Sequence, residues 1–395
     1  MKNQKKISFP SNLHGHTTYC DGKNRAEEYI LAAIEKNFVS VGLSGHSYVY
    51  FDKEPNMSLE GTLKYIEELK ILKEKYKDKI QVYIGIEADF YSGFNPKLDK
   101  NLGLDYRIGS VHYVKDKVED KYYCVDNTPE ILAYAIENYD NGDEKSLICA
   151  YYDNIIEMIH TQKPDILGHL DLVRKFNGNG KYFDENSEWY NKKVDEVLGE
   201  ISKTDVIVEI NTGGISRGWT KTPYPSAFIL KKILSKNIPI TLSSDAHSVE
   251  NIDYYFKEAL TWSTISSSDC SFRYSPIGNI FETKGANYFV KDYKNFYYLF
   301  GFLNTKIVNY LLKIISPTLD YHEGPMSNLP ITLEDSSIKL EIINNLVIKN
   351  LNISKEEWDS RETSWDFEKL SLIDGKDLKS AYENYCNHWR DNFVQ

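Results

Sequence analysis

The chain has 395 residues, of which 41% are hydrophobic and 27% are charged. This composition excludes a disordered, collagen-like or fibrous protein, and the lack of an uncharged apolar run of about 18 residues argues against a membrane span. The formal net charge of −11 argues against broad nucleic-acid binding through phosphate neutralisation. The five cysteines form no CxxC pair and indicate reduced thiols, and the basic start lacks the apolar segment of a secretory signal, so we expect a cytoplasmic protein.

Seven short apolar segments in the first two-thirds of the chain are predicted as strands. They are Ser11–His16, Val39–His46, Val82–Glu87, Tyr106–His112, Asp165–His169, Val206–Asn211 and Pro239–His247.

Amphipathic helical patterns lie between these segments. In the first of them, Tyr29, Ile30, Ala33 and Ile34 share one helical face. Strands that alternate with helices indicate βα units and a parallel sheet. Seven such units favour a closed TIM-like barrel that is one unit short, with an open doubly wound sheet as the alternative. The predicted helices are Arg25–Lys36, Leu59–Tyr76, Pro129–Asn138, Lys145–Thr161, Glu188–Ser202 and Tyr224–Lys236.

The βα pattern stops near Asn251–Tyr255. A helix is predicted at Val249–Leu260, and Thr261–Ile280, rich in serine and aromatic residues, is expected to form turns and short strands. We therefore predict two domains, residues 1–255 and a smaller mixed α/β segment at residues 256–395. Its predicted helices are Asn295–Ile315, Leu340–Leu351 and Lys376–Asn392.

Side chains that can bind metals follow nearly every predicted barrel strand. The carboxyl ends of barrel strands meet on one face, and residues spaced i, i+2 on a strand point the same way. Taken singly, each histidine is more typical of a cap or core position, and Asp21 of a turn; their repetition at strand ends indicates a metal site. The predicted ligands are His14, His16, Asp21, His46, Glu87, His112, His169, Asp245 and His247.

Nine ligands are too many for one ion and suit two or three. Imidazole and carboxylate together favour zinc, iron or manganese over magnesium or calcium. Clustered metals stabilise the attacking and leaving oxygens of phosphoryl transfer. The sequence therefore predicts hydrolysis of a phosphoester.

Seven stretches resemble the PHP (polymerase and histidinol phosphatase) family, and within it the monofunctional histidinol-phosphatase branch. They are NLHGHTTYCDGKN, VGLSGHSY, YIGIEADFY, DYRIGSVHYV, DILGHLDLVRKFN, VIVEINTGGISRGWTKTPYPS and ITLSSDAHS. The resemblance covers most of residues 8–255.

This resemblance implies a distorted (β/α)7 barrel, a trinuclear metal centre held by the same nine residues, and hydrolysis of L-histidinol phosphate to L-histidinol and phosphate. Arg174 and Arg217 resemble cations that bind the substrate phosphate, because guanidinium pairs with phosphate in a bidentate manner. The alternative for each arginine is a structural salt bridge. Asp245 or His247 is the candidate proton donor to the leaving alkoxide.

The tail resembles a different family. YYFKEALTWSTIS, CSFRYSPIGNIFE, FLNTKIVNYLLKIISPTLDYHEGPMSNLPI and ETSWDFE are similar to the late, target-recognition part of BREX-type adenine-specific DNA methyltransferases. The chain lacks an NPPY-type tetrapeptide and a glycine-rich S-adenosylmethionine loop. The tail is therefore expected at most to recognise or dock, not to methylate.

Four hypotheses follow. The leading one is a metal-dependent phosphomonoesterase acting on L-histidinol phosphate, and the second is a phosphoesterase acting on another sugar, nucleotide or polynucleotide phosphate. A small phosphorylated substrate is favoured, because few basic residues lie in the loops. The third is a DNA-recognition or docking module, against which the acidic balance argues. The fourth is a non-functional chimera.

Overall fold

The computed structural model describes residues 11–116, 119–254, 258–276, 285–290, 292–318, 320–334, 336–364, 367–370 and 377–393. These residues fall into two units, one before residue 255 and one from Glu258 onward. The predicted border between residues 255 and 256 lies outside the described residues. Across the described ranges, no helix combines the length and apolarity needed to cross a membrane.

The first unit contains nine strands among its described residues, seven of which form a parallel sheet in the order β1-β2-β3-β4-β7-β8-β9. Beyond the outer strands, the His16 amide donates to the Ala246 carbonyl at 2.9 Å and the Ala246 amide donates to the His14 carbonyl at 3.2 Å. These bonds bring the first and last strands together, so the sheet is a nearly closed barrel and the predicted (β/α)7 fold is confirmed. The strands are β1 (Ser11–Asn12), β2 (Ser40–Leu43), β3 (Gln81–Asp89), β4 (Tyr106–Ser110), β5 (Tyr113–Asp116), β6 (Lys121–Cys124), β7 (Ile166–Leu167), β8 (Ile207–Asn211) and β9 (Ile240–Ser243).

Helices cover the outer surface of this sheet. On the first helix, Tyr29, Ile30 and Ala33 are fully buried, as the spacing predicts, and each large side chain removed from water contributes about 1.5–3 kcal/mol. The second helix begins after Ser58, whose hydroxyl accepts from the Gly61 amide at 2.9 Å and satisfies one free donor of the first turn. The helices are α1 (Ala26–Glu35), α2 (Leu59–Tyr76), α3 (Pro96–Leu102), α4 (Pro129–Asn138), α5 (Glu144–Thr161), α6 (Glu188–Ile201), α7 (Gly213–Ser216) and α8 (Ala227–Ser235).

Several barrel strands are shorter than predicted. The first ends at Asn12 and the last at Ser243, so the predicted ends at His16 and His247 are wrong. Isolated parallel bridges continue the pairing beyond the strands, between Gly15 and Ala246 and between His46 and Glu87.

The second unit is a smaller mixed α/β structure. Within its described part, three antiparallel strands are ordered β11-β10-β12, and Leu260, Trp262, Phe296 and Leu312 form part of its buried core. The elements are β10 (Ala259–Ser263), β11 (Arg273–Ser275), β12 (Gly285–Tyr288), α9 (Phe296–Leu303), α10 (Lys306–Ile315), α11 (Glu323–Ser327), α12 (Ser337–Asp359) and α13 (Leu378–Phe393).

Two tail predictions need correction. The predicted helix Val249–Leu260 lies partly outside the described residues; its described ends are a 3-10 turn at Val249–Asn251 and strand β10. Leu260 and Trp262 are both buried at the two-residue period of a strand. The predicted helix Asn295–Ile315 is divided into α9 and α10, because the Thr305 hydroxyl accepts from the Val308 amide and starts a new helix.

Candidate metal centre

The nine predicted ligands lie together at the carboxyl ends of the barrel strands. Glu87, on β3, lies at their centre: its Oε2 is 3.3 Å from His14 Nε2 and 3.0 Å from His46 Nδ1, and its Oε1 is 2.9 Å from His169 Nε2 and 3.6 Å from His112 Nε2. Parallel strands that end at one edge account for this convergence.

The remaining ligands complete the cluster from the first and last strands. His16 Nε2 is 3.1 Å from Asp245 Oδ1, and His247 Nε2 is 3.0 Å from Asp21 Oδ2. The His16 and His247 rings are stacked with their centroids 4.1 Å apart. The structure therefore brings all nine side chains into one cluster.

Within this cluster, three sets of side chains each place their donor atoms within 4.8 Å of one another. The sets share members, which suits two or three neighbouring ions better than one. They are His16, Asp21, His46 and His247; His14, His16 and Glu87; and His46, Glu87 and His112.

Unpaired buried atoms show that this site fits divalent metal. His14 Nε2, His16 Nε2 and Glu87 Oε2 are buried, and although they have contacts of 3.3, 3.1 and 3.0 Å respectively, none of them makes a hydrogen bond of good geometry. A buried polar atom left without a partner is costly. A metal ion would satisfy all three, since an imidazole nitrogen and a carboxylate oxygen are ordinary ligands of zinc.

The electrostatics of the cluster favour the metal-binding forms of Glu87, Asp245 and His16. Although burial opposes ionisation, the neighbouring His46 and His14 hold the pKa of Glu87 well below its ordinary value. Burial likewise opposes the charge of Asp245, but Arg217 and His14 hold its pKa well below the usual range. Burial, together with the charges of His247 and His46, lowers the pKa of His16 to about 3. Charged carboxylates and a neutral imidazole are the forms that bind metal. In contrast, although burial opposes their positive charge, neighbouring carboxylates raise the pKa values of His14, His46 and His112, so metal must displace a proton there.

Two carboxylates behind the ligands were not predicted from the sequence. Glu209, on β8, is fully buried and accepts hydrogen bonds from His14 Nδ1 at 2.5 Å and from the His169 amide at 2.9 Å. Asp89 accepts from the His112 amide at 3.1 Å and lies 3.3 Å from its Nδ1. Such contacts fix the tautomer and the orientation of a ligating histidine.

One sequence signal could have identified Glu209. It stands in VIVEIN, a single acid within an apolar strand. An acid at such a position is rarely buried unless it has partners.

The two predicted phosphate-binding arginines differ in position. Arg217 lines the cavity above the cluster, and its Nη1 and Nη2 donate to the Asp245 carbonyl at 3.1 Å and to Asp245 Oδ2 at 3.0 Å. Arg174 does not line that cavity: its Nε lies 3.3 Å from Glu185 Oε2 and 3.6 Å from Asp171 Oδ2. Arg174 therefore forms the structural salt bridge that was the alternative prediction for it, and its contact with phosphate stays a prediction.

The cavity has a volume of about 690 Å³, a size typical of a pocket for a small molecule. One wall is a loop that includes Lys53, Glu54 and Asn56. The loop is fixed to the β5–β6 hairpin, because Phe51 stacks on Tyr122 with centroids 3.7 Å apart. Neither the loop nor the hairpin was predicted to contribute to the site.

Another part of the lining carries a carboxylate, an ammonium group and aromatic rings, which belong to Asp126, Lys175, Trp219 and Tyr224.

Comparison with known proteins supports both predicted resemblances. The PHP domain model matches residues 12–213, about half of the chain. A Schizosaccharomyces pombe protein named probable histidinol-phosphatase is 27% identical over 293 residues, which cover 69% of this chain and 92% of that protein. The histidinol-phosphatase of Bacillus subtilis is 26% identical over 275 residues, which cover 62% of this chain and 97% of that protein.

The C-terminal portion matches different proteins. The adenine-specific methyltransferase BrxX of Escherichia coli is 34% identical over 155 residues, which cover 38% of this chain but only 12% of that protein. The chain therefore spans a small part of this relative.

A crystal structure of hisK from Listeria monocytogenes shares the barrel fold. It is 23% identical, has a TM-score of 0.56, and is matched over 98% of its own length and 62% of this chain. Together with the match over residues 12–213 and the barrel that carries the cluster, this shows that the chain belongs to the PHP domain family.

Proposed function

We propose that this protein is a metal-dependent phosphomonoesterase that hydrolyses L-histidinol phosphate to L-histidinol and phosphate. The observation that carries the proposal is the convergence of the nine predicted ligands at the carboxyl ends of the barrel strands. Seven of them line, together with Arg217, one cavity of small-molecule size. The relatives named histidinol-phosphatase, which this chain matches over nearly their whole length, support the choice of substrate.

The nine clustered side chains would hold two or three ions of zinc, iron or manganese. Bound divalent ions supply Lewis-acid stabilisation of the charge that develops on the phosphoryl oxygens. Glu209 and Asp89 hold the rings of His14 and His112 from behind, so both ligands are oriented before any ion binds.

Arg217 is the residue that we assign to the substrate phosphate. Its two contacts with Asp245 fix the plane of the guanidinium group. A fixed, permanently charged fork suits the planar, bidentate recognition of phosphate.

Asp245 and His247 are the candidates for proton transfer to the leaving alkoxide. Arg217 Nη1 lies 2.6 Å from His247 Nδ1, and an arginine can only donate. His247 Nδ1 also lies 3.0 Å from the Asp245 carbonyl oxygen, and its Nε2 faces Asp21 at 3.0 Å. A coordinating imidazole nitrogen carries no proton, so His247 can pass a proton to a leaving oxygen only while it holds no ion.

We also propose that residues 1–255 form the phosphatase domain and that residues 256–395 form a separate segment without methyl-transfer function. Docking of this segment on DNA is supported only by the partial methyltransferase matches, and we do not assign it a role in the reaction.

The test is phosphate release from L-histidinol phosphate by the full chain, with and without added Mn²⁺ or Zn²⁺. We expect metal-dependent turnover that is lost in the Asp245→Ala, His247→Ala double variant. A matched control is the His160→Ala, Glu200→Ala double variant, which removes a histidine–carboxylate pair 3.0 Å apart on the outer surface and should retain turnover.

Two results would count against the proposal in different ways. Bound metal without turnover of L-histidinol phosphate would refute the substrate and leave another small phosphate ester as the candidate. Failure to bind metal at all would refute the metal-dependent enzyme.

A further inference from the structure

A carboxylate in the cavity wall lies outside the metal cluster. Asp126 follows strand β6 and lines the cavity, and only 20% of its side chain is exposed. Among the described residues, its carboxylate forms an ion pair with Lys175 and with none of the nine predicted ligands. Its part in the site is therefore not explained by metal binding.

The polar contacts of the Asp126 carboxylate are both long. Lys175 Nζ is 3.4 Å from Oδ2, and the Cys124 thiol is 3.6 Å from Oδ1. Lys175 makes its short contact, 2.6 Å, with the carbonyl oxygen of Asp126. Because an ionised carboxylate can accept about four hydrogen bonds, these two contacts leave most of its accepting capacity unused.

This carboxylate remains charged. Burial opposes ionisation, but the adjacent Lys175 lowers the pKa of Asp126 below its ordinary value. A negative charge in a mostly enclosed wall attracts a cation and repels a second anion.

An indole ring belongs to the same wall. Trp219 lines the cavity and is 48% exposed, and it packs edge-on against Phe176 with ring centroids 5.6 Å apart. Lys175 Nζ lies 5.6 Å from the indole centroid while it also contacts Asp126, so this lysine links the ring to the carboxylate. An exposed aromatic face binds flat rings and cations.

We propose that Asp126 and Trp219 form a subsite for a cationic leaving group, so that the substrates are phosphate esters of alcohols that carry an amine or an imidazolium. This inference rests on the proposed phosphatase function. It concerns the part of the substrate that the metal cluster and Arg217 do not contact, and it makes Asp126 a residue that determines specificity.

The experiment compares two esters in the metal-loaded full chain. L-Histidinol phosphate carries a cation, whereas glycerol 2-phosphate carries neither a cation nor an aromatic ring. Asp126→Asn should lower kcat/KM for the cationic ester by about 10- to 100-fold, the effect of one lost charge-assisted hydrogen bond. It should change kcat/KM for the ester without a cation by no more than about twofold. Asp153→Asn, which removes a surface carboxylate paired with Lys193, should change neither.

A second variant guards against a defect in folding. Trp219→Leu alters a half-exposed side chain, so we expect it to fold, and it should also lower kcat/KM selectively for the cationic ester. Equal losses on both esters, or no loss on either, would overturn the subsite.

The subsite and the proposed substrate can fail separately. O-Phosphoethanolamine is a cationic ester that is not L-histidinol phosphate. If only this ester is hydrolysed and Asp126→Asn impairs it, the subsite stands and the proposed substrate falls. If L-histidinol phosphate is hydrolysed and Asp126→Asn has no effect, the substrate stands and the subsite falls. A wild-type preference for esters without a cation overturns the subsite.

Discussion

Replacing Glu209 with glutamine tests most directly whether the carboxylate behind the cluster orients the His14 ring for metal binding. The Oε1 atom of Glu209 accepts from His14 Nδ1 and Ser243 Oγ, and Oε2 accepts from the His169 amide and Asn211 Nδ2. A glutamine keeps one accepting oxygen and presents an NH₂ group in place of the other. In either orientation, two former donors face another donor.

The less costly orientation places the NH₂ group beside His14. The Ser243 hydroxyl can rotate to accept, and His14 can move its proton from Nδ1 to Nε2. The opposite orientation would leave two buried donors unpaired at about 1–3 kcal/mol each. The proton on Nε2 then occupies the nitrogen that faces Glu87 at 3.3 Å and must be displaced before that nitrogen can bind metal.

We therefore expect Glu209→Gln to weaken metal binding by about 10- to 100-fold, which corresponds to about 1.4–2.7 kcal/mol. The assay is titration of the chelator-treated protein with Zn²⁺, together with metal analysis after dialysis. Glu200→Gln is the matched control, because Glu200 also contacts a histidine but at the surface, and such pairs contribute at most about 1 kcal/mol. Equal metal affinity in Glu209→Gln and in the wild type would refute the reasoning.

Three further predictions follow from the structure. Arg217→Lys should lower kcat/KM for the phosphate ester by at least about 10-fold, because a lysine cannot contact Asp245 and a phosphate at once. Arg174→Lys should mainly lower the melting temperature. A larger loss of kcat/KM in Arg174→Lys than in Arg217→Lys would favour the phosphate contact predicted for Arg174 from the sequence. Burial opposes the cation of His112, but its hydrogen bond to Asp89 raises its pKa to about 9 in the metal-free protein. Metal binding near pH 7 should therefore release a proton, and the metal affinity should weaken as the pH falls from 9 towards 6. Calorimetry in buffers of different ionisation enthalpy measures the proton release, and metal binding without it would contradict the assignment of His112 as a ligand. Leu312→Ala should destabilise the second unit by about 2–5 kcal/mol in denaturant unfolding while the hydrolytic kcat is unchanged, and a parallel loss of activity would argue against two separate domains.

The helices of the barrel were the most predictable part of the fold. The bounds of α2 and α4 agree with the sequence prediction, because each combines an amphipathic pattern with a capping hydroxyl, from Ser58 and Thr128 respectively. The strand ends were less predictable, since extended backbone continues past the last sheet hydrogen bond and the sequence pattern does not mark where pairing stops.

The clustering of the nine predicted ligands could be anticipated from the sequence, but the surroundings of the cluster could not. The nine residues stand out because histidine and carboxylate recur at the same place in successive βα units. Asp126 and Trp219 have no such repetition; they reach the cavity through a hairpin and a loop whose positions depend on tertiary packing, such as the stacking of Phe51 on Tyr122. Local sequence does not specify contacts of that kind.

The distribution of the ligands along the chain sets the order in which the site can be assembled during synthesis. His14, His16, Glu87, His46 and His112 leave the ribosome within the first third of the chain, and they complete two of the three sets of donors. The set of His16, Asp21 and His46 lacks its fourth member until His247 has emerged. An ion held by these three side chains would lack one protein ligand until that point, so we expect full metal loading only after the last barrel strand has paired with the first.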